Sequence, residues 1–201
     1  QYTGCDISKT GIERARQKYP GAQFILTEPG LENIQHIRPD FILSRDVILH
    51  QTDPFEFLKK VCSIARNGVF LRLRTRDVGS TVLDVEQSCQ LNYGLWAPYI
   101  IMNCDELVTF LCGLKLCSKI WLLKNYMVLG GYHGRYLPKD CYLEETGTAE
   151  SGMFIEIEHG CSKPEVKIEE RKEGFSVPLY ARLVKRLIQY TKGLGSQRVW
   201  W

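Results

Sequence analysis

PDFILSRDVILHQTDPFEFLKKVCSIARNGVFLRLRT, residues 39–75, is the stretch whose reading decides the fold. It opens on a buried-strand run, Phe41, Ile42 and Leu43, that stops at Ser44, Arg45 and Asp46, where a strand end meets solvent. A short apolar segment carrying His50 follows. Thr52 or Asp53 then caps a helix with Pro54 in its first turn, where a missing N–H costs nothing, and with Phe55, Leu58, Val61, Cys62 and Ala65 as its apolar positions. Asn67-Gly68 is expected to end this helix, with glycine in a left-handed cap. Val69, Leu71 and Leu73 alternate with Phe70, Arg72 and Arg74, the period of a further strand. Strand, helix and strand over roughly 35 residues make a βαβ unit with parallel strands and a right-handed crossover. Ligands of such sheets sit at the carboxyl ends of the strands, which points to Ser44–His50 and Arg74–Asp77.

The whole chain bounds the answer more loosely. With 201 residues, 44% hydrophobic and 24% charged, it reads as one substantial domain with an appendage. A net charge of +3 is too small to argue for nucleic acid. No apolar run approaches the roughly 18 to 20 residues of a membrane span, and no signal-peptide pattern opens the chain, so the expected location is the cytoplasm. The eight cysteines include no CxxC pair and several fall in apolar runs, which favours reduced, mostly buried thiols. The histidines, His36, His50, His133 and His159, stand at no ligand spacing from a cysteine pair, so no metal is expected.

Outward toward the N-terminus, Gln1–Ile7 reads as a strand ending on Asp6. Ser8 caps a helix whose Ile12, Ala15, Arg16 and Tyr19 share a face and which Pro20-Gly21 closes. Gln23–Leu26 is a short strand, Thr27-Glu28-Pro29-Gly30 a turn at its carboxyl end, and Leu31–Arg38 a short helix. The alternation of strand and helix gives a parallel sheet with helices on both faces. A carboxylate at a strand end suits the two hydroxyls of a ribose, since it accepts two hydrogen bonds in a fork. Asp6 is in that position; capping the helix that starts near Ser8 is the alternative role.

GCDIS and its helix, then QFILTE, then the 39–75 stretch, resemble the class I S-adenosylmethionine-dependent methyltransferases from their second strand to their fifth. The resemblance covers residues 1–75 most closely and extends loosely to 160. It implies a Rossmann-like α/β sheet, mostly parallel with a C-terminal antiparallel pair, and a chain that transfers a methyl group from S-adenosylmethionine to a small-molecule or sugar-like acceptor. By the same resemblance Asp6 would hold the ribose hydroxyls, Ile7 would pack on the adenine, and Thr27 and Glu28 would lie near the adenine amino group. Ser44 and Arg45 would flank the methionine portion, and His50 would lie close to the substrate. Methyl transfer from a sulfonium is an in-line displacement, so the protein supplies proximity and a base, and imidazole exchanges protons near neutral pH. A structural histidine at the sheet edge is the plainer reading of His50. The family's first strand and glycine-rich loop have no counterpart here: neither Gly130-Gly131 nor Gly193–Gly195 follows a parallel strand in the right place. They are expected upstream of residue 1, in a longer protein that would account for the absent initiator methionine. The competing readings are a non-catalytic binding or assembly module that has lost the cofactor loop, and a different doubly wound nucleotide-binding enzyme.

Beyond residue 75, TRDVGSTVLDVEQSCQLNYGLWAPYIIMN is a long connection rich in turn residues, and Tyr93, Trp96 and Tyr99 are candidate pocket-lining residues. Arg74 and Arg76, nearest the strand's carboxyl end, are candidates to meet an anionic substrate group; exposed edge charge is the alternative. Asn103 or Asp105 caps a helix through Leu107, Val108, Phe110, Leu111 and Leu114. Residues 119–129 and 152–159 read as apolar strands, which by the resemblance would be the final antiparallel pair of the sheet. The excursion between them, 130–151, brings His133, Arg135 and Tyr136. Residues 161–201 form a charged linker or exposed strand, KPEVKIEERKEG, and an amphipathic helix in which Leu179, Leu183, Leu187 and Tyr190 share a face. That helix is expected to dock on the domain or on a second copy in a homo-oligomer, as are Trp200 and Trp201.

Overall fold

Two compact units, Gln1–Pro39 and Asp40–Trp201, make up the computed structural model of the chain. It describes residues 2–92, 94–126, 135–138, 141, 148–172 and 183. No helix among these is long and apolar enough to cross a membrane.

The first unit is a small βαβ. Strand β1 (Thr3–Asp6) and strand β2 (Gln23–Leu26) are parallel, with Asp6 opposite Leu26. Helix α1 (Lys9–Lys18) joins them; Ser8 is its N-cap, its hydroxyl accepting from the Gly11 N–H at 3.1 Å. Ile12 is the buried residue of this helix. The segment expected as a short helix after β2 is a 3-10 helix, Glu32–Ile37, with left-handed Leu31 and Arg38 at its ends.

The second unit begins with β3 (Phe41–Arg45), a single buried turn (Ile48–His50), helix α2 (Pro54–Ile64) and β4 (Gly68–Arg76), the parallel βαβ read from the sequence. Of the two candidate caps for α2, Asp53 is the one used, its carboxylate accepting from the Glu56 N–H at 2.9 Å. The expected glycine cap is not formed. The helix stops at Ala65 in an extended conformation, and Gly68 has no positive φ; it is the first residue of β4. Asn67 and Gly68 both donate to the Asp40 carbonyl, which fixes the turn without a left-handed residue. Gly68 is required for space: a Cβ there would meet the Phe154 ring at 2.7 Å and the Ile155 carbonyl at 3.2 Å.

The connection after β4 is more regular than its composition predicts. It contains β5 (Cys89–Asn92), β6 (Leu95–Pro98) and β7 (Met102–Asn103). β5 and β6 form a hairpin with Gly94 at φ 87°, a conformation open to glycine and costly for most other residues. Helix α3 (Cys104–Gly113) follows, with Asn103 as N-cap, and then β8 (Cys117–Asn125), β9 (Arg135–Tyr136), β10 (Thr148–Ile157) and β11 (Glu165–Arg171). β9 pairs with β5 to complete a three-stranded sheet.

The main sheet has the order β11-β8-β10-β4-β3, with β7 continuing the β3 side of β4. β10 lies antiparallel between β4 and β8, and β11 is parallel to β8. The charged segment past residue 160 therefore belongs to the sheet as its edge strand. Side-chain contacts tie it to β8 and the residue after it: Lys124 bridges Glu170 at 2.7 Å, the Tyr126 hydroxyl lies 3.4 Å from Glu170, and Lys119 reaches Glu165 at 3.2 Å. One face of the sheet carries the core, where Val69, Leu71 and Leu73 meet Ile120, Leu122, Met153 and Ile155 under Leu58 and Val61 of α2 and Leu107 and Leu111 of α3. Each such side chain contributes roughly 1.5–3 kcal/mol by leaving water. The other face exposes Phe41, Leu43, Phe70 and Trp121, with Phe70 stacked on Phe154 at 4.6 Å.

Candidate functional site

The carboxyl ends of β1 and β2 bring four of the candidate residues together within the first unit. Parallel pairing continues past the strands, because the Thr27 N–H donates to the Asp6 carbonyl at 2.9 Å. The Asp6 carboxylate is exposed and accepts the Ser8 N–H at 2.7 Å through Oδ1. Ser8, not Asp6, is therefore the helix cap. The single backbone bond orients the Asp6 carboxylate and leaves lone pairs of both oxygens for further donors. Ile7 beside it is 61% exposed, an apolar side chain available to a planar ligand. The Thr27 hydroxyl is buried and bonded to Asn33 at 3.0 Å, and Glu28 is exposed.

In the second unit the carboxyl ends of β3 and β4 hold a dense array of charge. Arg74 is 2% exposed and Arg76 8%, so the reading of these as exposed edge charge is corrected: both stand on β4 where β10 pairs with it, opposite Glu150 and Thr148. Their roles differ. The Arg76 guanidinium turns back onto the Val78 and Ser80 carbonyls and fastens the turn after β4. Arg74 lies opposite Glu150 of β10 and bonds it at 2.9 Å through Nη1, while its Nε–H is buried without an acceptor. Arg72 shares Glu150 at 3.6 Å and bonds Asp46 at 3.0 Å. Asp46 stands at φ 62°, a left-handed conformation that is uncommon outside glycine and clusters at functional sites. The Arg45 side chain is 74% exposed, 3.6 Å from Asp46; the Ser44 hydroxyl is buried on the core side with no hydrogen-bond partner.

His50 is half-buried on the turn after β3. Its Nδ1 is 2.7 Å from the Pro98 carbonyl, and Ile100 N–H donates to the Leu49 carbonyl at 2.7 Å, so the strap following β6 is fastened across the histidine. A carbonyl only accepts, so Nδ1 carries the proton and neutral His50 presents Nε2 as its lone pair. Tyr99 packs edge-on against the imidazole, with centroids 6.3 Å apart, and the Arg135 guanidinium lies 4.4 Å above the Tyr99 ring. Burial pushes the Tyr99 phenol up, opposed by the positive charges of Arg74 and Arg135 and reinforced by Glu150 and Asp46. Trp96 is buried against Tyr136 at 5.1 Å and belongs to the small sheet's packing. Tyr93 and His133, like the amphipathic helix apart from Leu183, lie outside the described residues.

The structure thus gathers His50, Tyr99, Arg74 and Arg135; Glu150 is the charge partner of Arg74 and Arg72, Asp46 that of Arg72 and Arg45, and Arg135 donates to the Gln90 side-chain oxygen at 2.8 Å. Sequence reasoning missed Glu150 because it lies in a stretch, TGTAES, with the composition of a turn. The polar residues interrupting a strand-like alternation, Glu150 and Ser151, were the available signal.

No family model matches the chain, and no curated protein matches it. Among solved structures, the chain is similar to the N-terminal domain of EvdMO1 with SAH bound, at 11% identity and a TM-score of 0.49, covering 79% of this chain and 64% of that one. It is also similar to the O-methyltransferase from the trans-AT PKS multienzyme of Brevibacillus brevis in complex with S-adenosyl-L-homocysteine, at 15% identity and a TM-score of 0.48, covering 77% and 58%. A third is the Burkholderia thailandensis 1,6-didemethyltoxoflavin-N1-methyltransferase with bound 1,6-didemethyltoxoflavin and S-adenosylhomocysteine, at 12% identity and a TM-score of 0.43, covering 77% and 60%. The chain therefore spans less than two thirds of the length of each of these structures.

Proposed function

We propose that this chain serves S-adenosylmethionine-dependent methyl transfer to a small-molecule or sugar-like acceptor. The observation that carries the reading is the Asp6 rim of the first unit: an exposed carboxylate, oriented by one backbone N–H, at the end of a parallel strand beside Ile7 and Glu28. That donor and acceptor set fits an adenosine. Asp6 would accept from the two ribose hydroxyls, Ile7 would cover the base, and Glu28 would accept from an exocyclic amine. When bound, S-adenosylmethionine supplies an electrophilic methyl on a sulfonium. In the second unit, His50 with its proton held on Nδ1 by Pro98 offers Nε2 to take a proton from an oxygen or nitrogen nucleophile, and Tyr99 fixes the plane of the imidazole.

Calorimetry with S-adenosylhomocysteine tests this. Saturable binding is expected, with Asp6→Ala weaker by roughly 1.5–3 kcal/mol, the worth of charge-assisted hydrogen bonds. Absence of saturable heat both from this chain and from a version extended upstream, or an undiminished affinity in the variant, refutes the reading.

A further inference from the structure

A sheet with one face in water normally turns polar side chains to that side. The face of the main sheet away from α2 and α3 does not. Across it Trp121 of β8, Phe154 of β10, Phe70 of β4 and Leu43 of β3 stand opposite one another in register, and Phe41 lies beside Phe70 at 6.1 Å. Leu43 is 78% exposed, and Phe41, Phe70 and Trp121 are exposed with it. Three strand spacings make this row about 14 Å long. Gly152, next on the same face of β10, leaves a hollow beside Phe154, since a Cβ there would meet nothing within 4 Å. Glu156 and Glu165 stand on one side of the row and Glu169 on the other. A continuous apolar row with a polar rim marks a contact surface.

We propose that this face is the seat of the chain's own amphipathic segment, residues 176–193, with Leu179, Leu183, Leu187 and Tyr190 laid on the row from Trp121 to Leu43. Leu183, the described residue of that segment, is helical and half-exposed, an apolar side chain with surface still to cover. Reach and size agree. β11 ends at Arg171 on the margin of the open face, and residues 172–175, with Gly174 among them, lead from it into the segment. Those four residues span up to about 14 Å. The row begins beside Lys167, four residues back along β11 and so about 13 Å away, where the ammonium lies 4.7 Å over the Trp121 ring. As a helix, the stripe from Leu179 to Tyr190 is about 16 Å long, the length of the row. Arg182 and Arg186, four apart and each preceding a leucine of the stripe, flank it and offer cations to the glutamates of the rim. Val166 and Ile168, at the β11 margin of the opposite face, are exposed too, but they make a smaller apolar surface than the five side chains here.

The test is fluorine NMR of the full chain labelled with fluorotryptophan, with the Trp121 signal assigned by its loss in Trp121→Phe and a soluble nitroxide as the probe of exposure. Trp121 is expected to be shielded from the nitroxide in the wild type and broadened by it in the double variant Leu183→Asp/Leu187→Asp. The shielding should be the same over a roughly tenfold range of protein concentration, as for a contact within one chain. Trp96, buried in the small sheet, should stay shielded throughout and reports that the fold is kept. Should the leucine variant lose the Trp96 shielding as well, Arg182→Glu/Arg186→Glu, which alters no apolar position, decides in its place and is expected to weaken the shielding of Trp121. A Trp121 signal broadened equally in wild type and variant overturns the proposal. So does shielding that survives the variant, which would give the face to another segment, one upstream of residue 1 included, and so does shielding that rises with protein concentration, which would give it to a second copy.

Discussion

Glu150→Gln is the substitution on which the electrostatic account of this site stands most exposed. The carboxylate lies 2.9 Å from Arg74 Nη1, and the two side chains are 12% and 3% exposed. At an effective dielectric near 20, two unit charges at that distance attract by about 6 kcal/mol. Much of this is offset by the cost of desolvating both ions, so the pair itself contributes little net stability. Removing one member is different, because Arg74 stays buried and its charge is no longer answered, which costs about 3–5 kcal/mol. Glutamine keeps an acceptor oxygen and recovers about 1 kcal/mol of hydrogen bonding. The loss of the second ion pair, from Arg72 at 3.6 Å, adds little because that side chain is 44% exposed and screened. The expected loss is therefore about 3 kcal/mol. Urea denaturation of wild type, Glu150→Gln, Arg74→Met and the double variant Arg74→Met/Glu150→Leu measures it. The double variant should return to within about 1 kcal/mol of wild type, since an apolar pair needs no compensation. Phosphate should restore part of the stability of Glu150→Gln and less of the wild type, because an added anion replaces the missing carboxylate. A Glu150→Gln loss below about 1 kcal/mol, or a double variant as damaged as the two single variants together, would refute the reasoning.

Other outcomes follow from the same structure. Hydrogen bonds from Lys124 and Lys172 hold the Glu170 carboxyl down at about 2, below its ordinary 4.5. A lowered folded pKa means that this carboxylate stabilises fully above about pH 4.5 and less as the pH falls toward 2; amide exchange in β11 should accelerate over that window, and Glu170→Gln should remove the dependence. Leu58→Ala, at a fully buried position of α2, should cost about 2–5 kcal/mol in thermal or urea unfolding. Asn103→Ala removes both the cap on the Glu106 N–H at 2.9 Å and the bond to the Gly79 carbonyl at 2.8 Å, and should cost about 1–2 kcal/mol in the same assay. In a thiol-labelling time course on the folded chain, Cys5 should be modified first, and Cys62, Cys89, Cys117 and Cys141 only on unfolding.

Local grammar carried the sequence reading as far as neighbouring residues reach. Ser8, Asp53 and Asn103 are used as caps because a side-chain oxygen needs only the N–H three residues on. Val69, Leu71 and Leu73 face the core because a strand alternates sides whatever lies beyond it. These short-range rules gave the order of the first unit and, in the second, β3, α2, β4, α3, β8 and β10, but not β5, β6, β7 or β9, and they placed Asp6 at a strand end and His50 in the segment after β3.

What the chain's own order left undetermined was which distant residues meet. Arg74 and Glu150 are 76 positions apart, and only the antiparallel register of β10 against β4 sets them opposite one another. The same register buries an arginine whose composition and position read as exposed edge charge. Glu165–Arg171 became a strand because Lys124 and Tyr126 offered partners to its charges, although its own sequence has the polarity of a linker. Arg135 reached the Tyr99 ring through a strand of only two residues, too short to announce itself. Caps and periods are properties of a few consecutive residues and are written into them; register, burial and charge pairing are set by the competition of many weak long-range contacts, and that competition is decided only when the chain is folded.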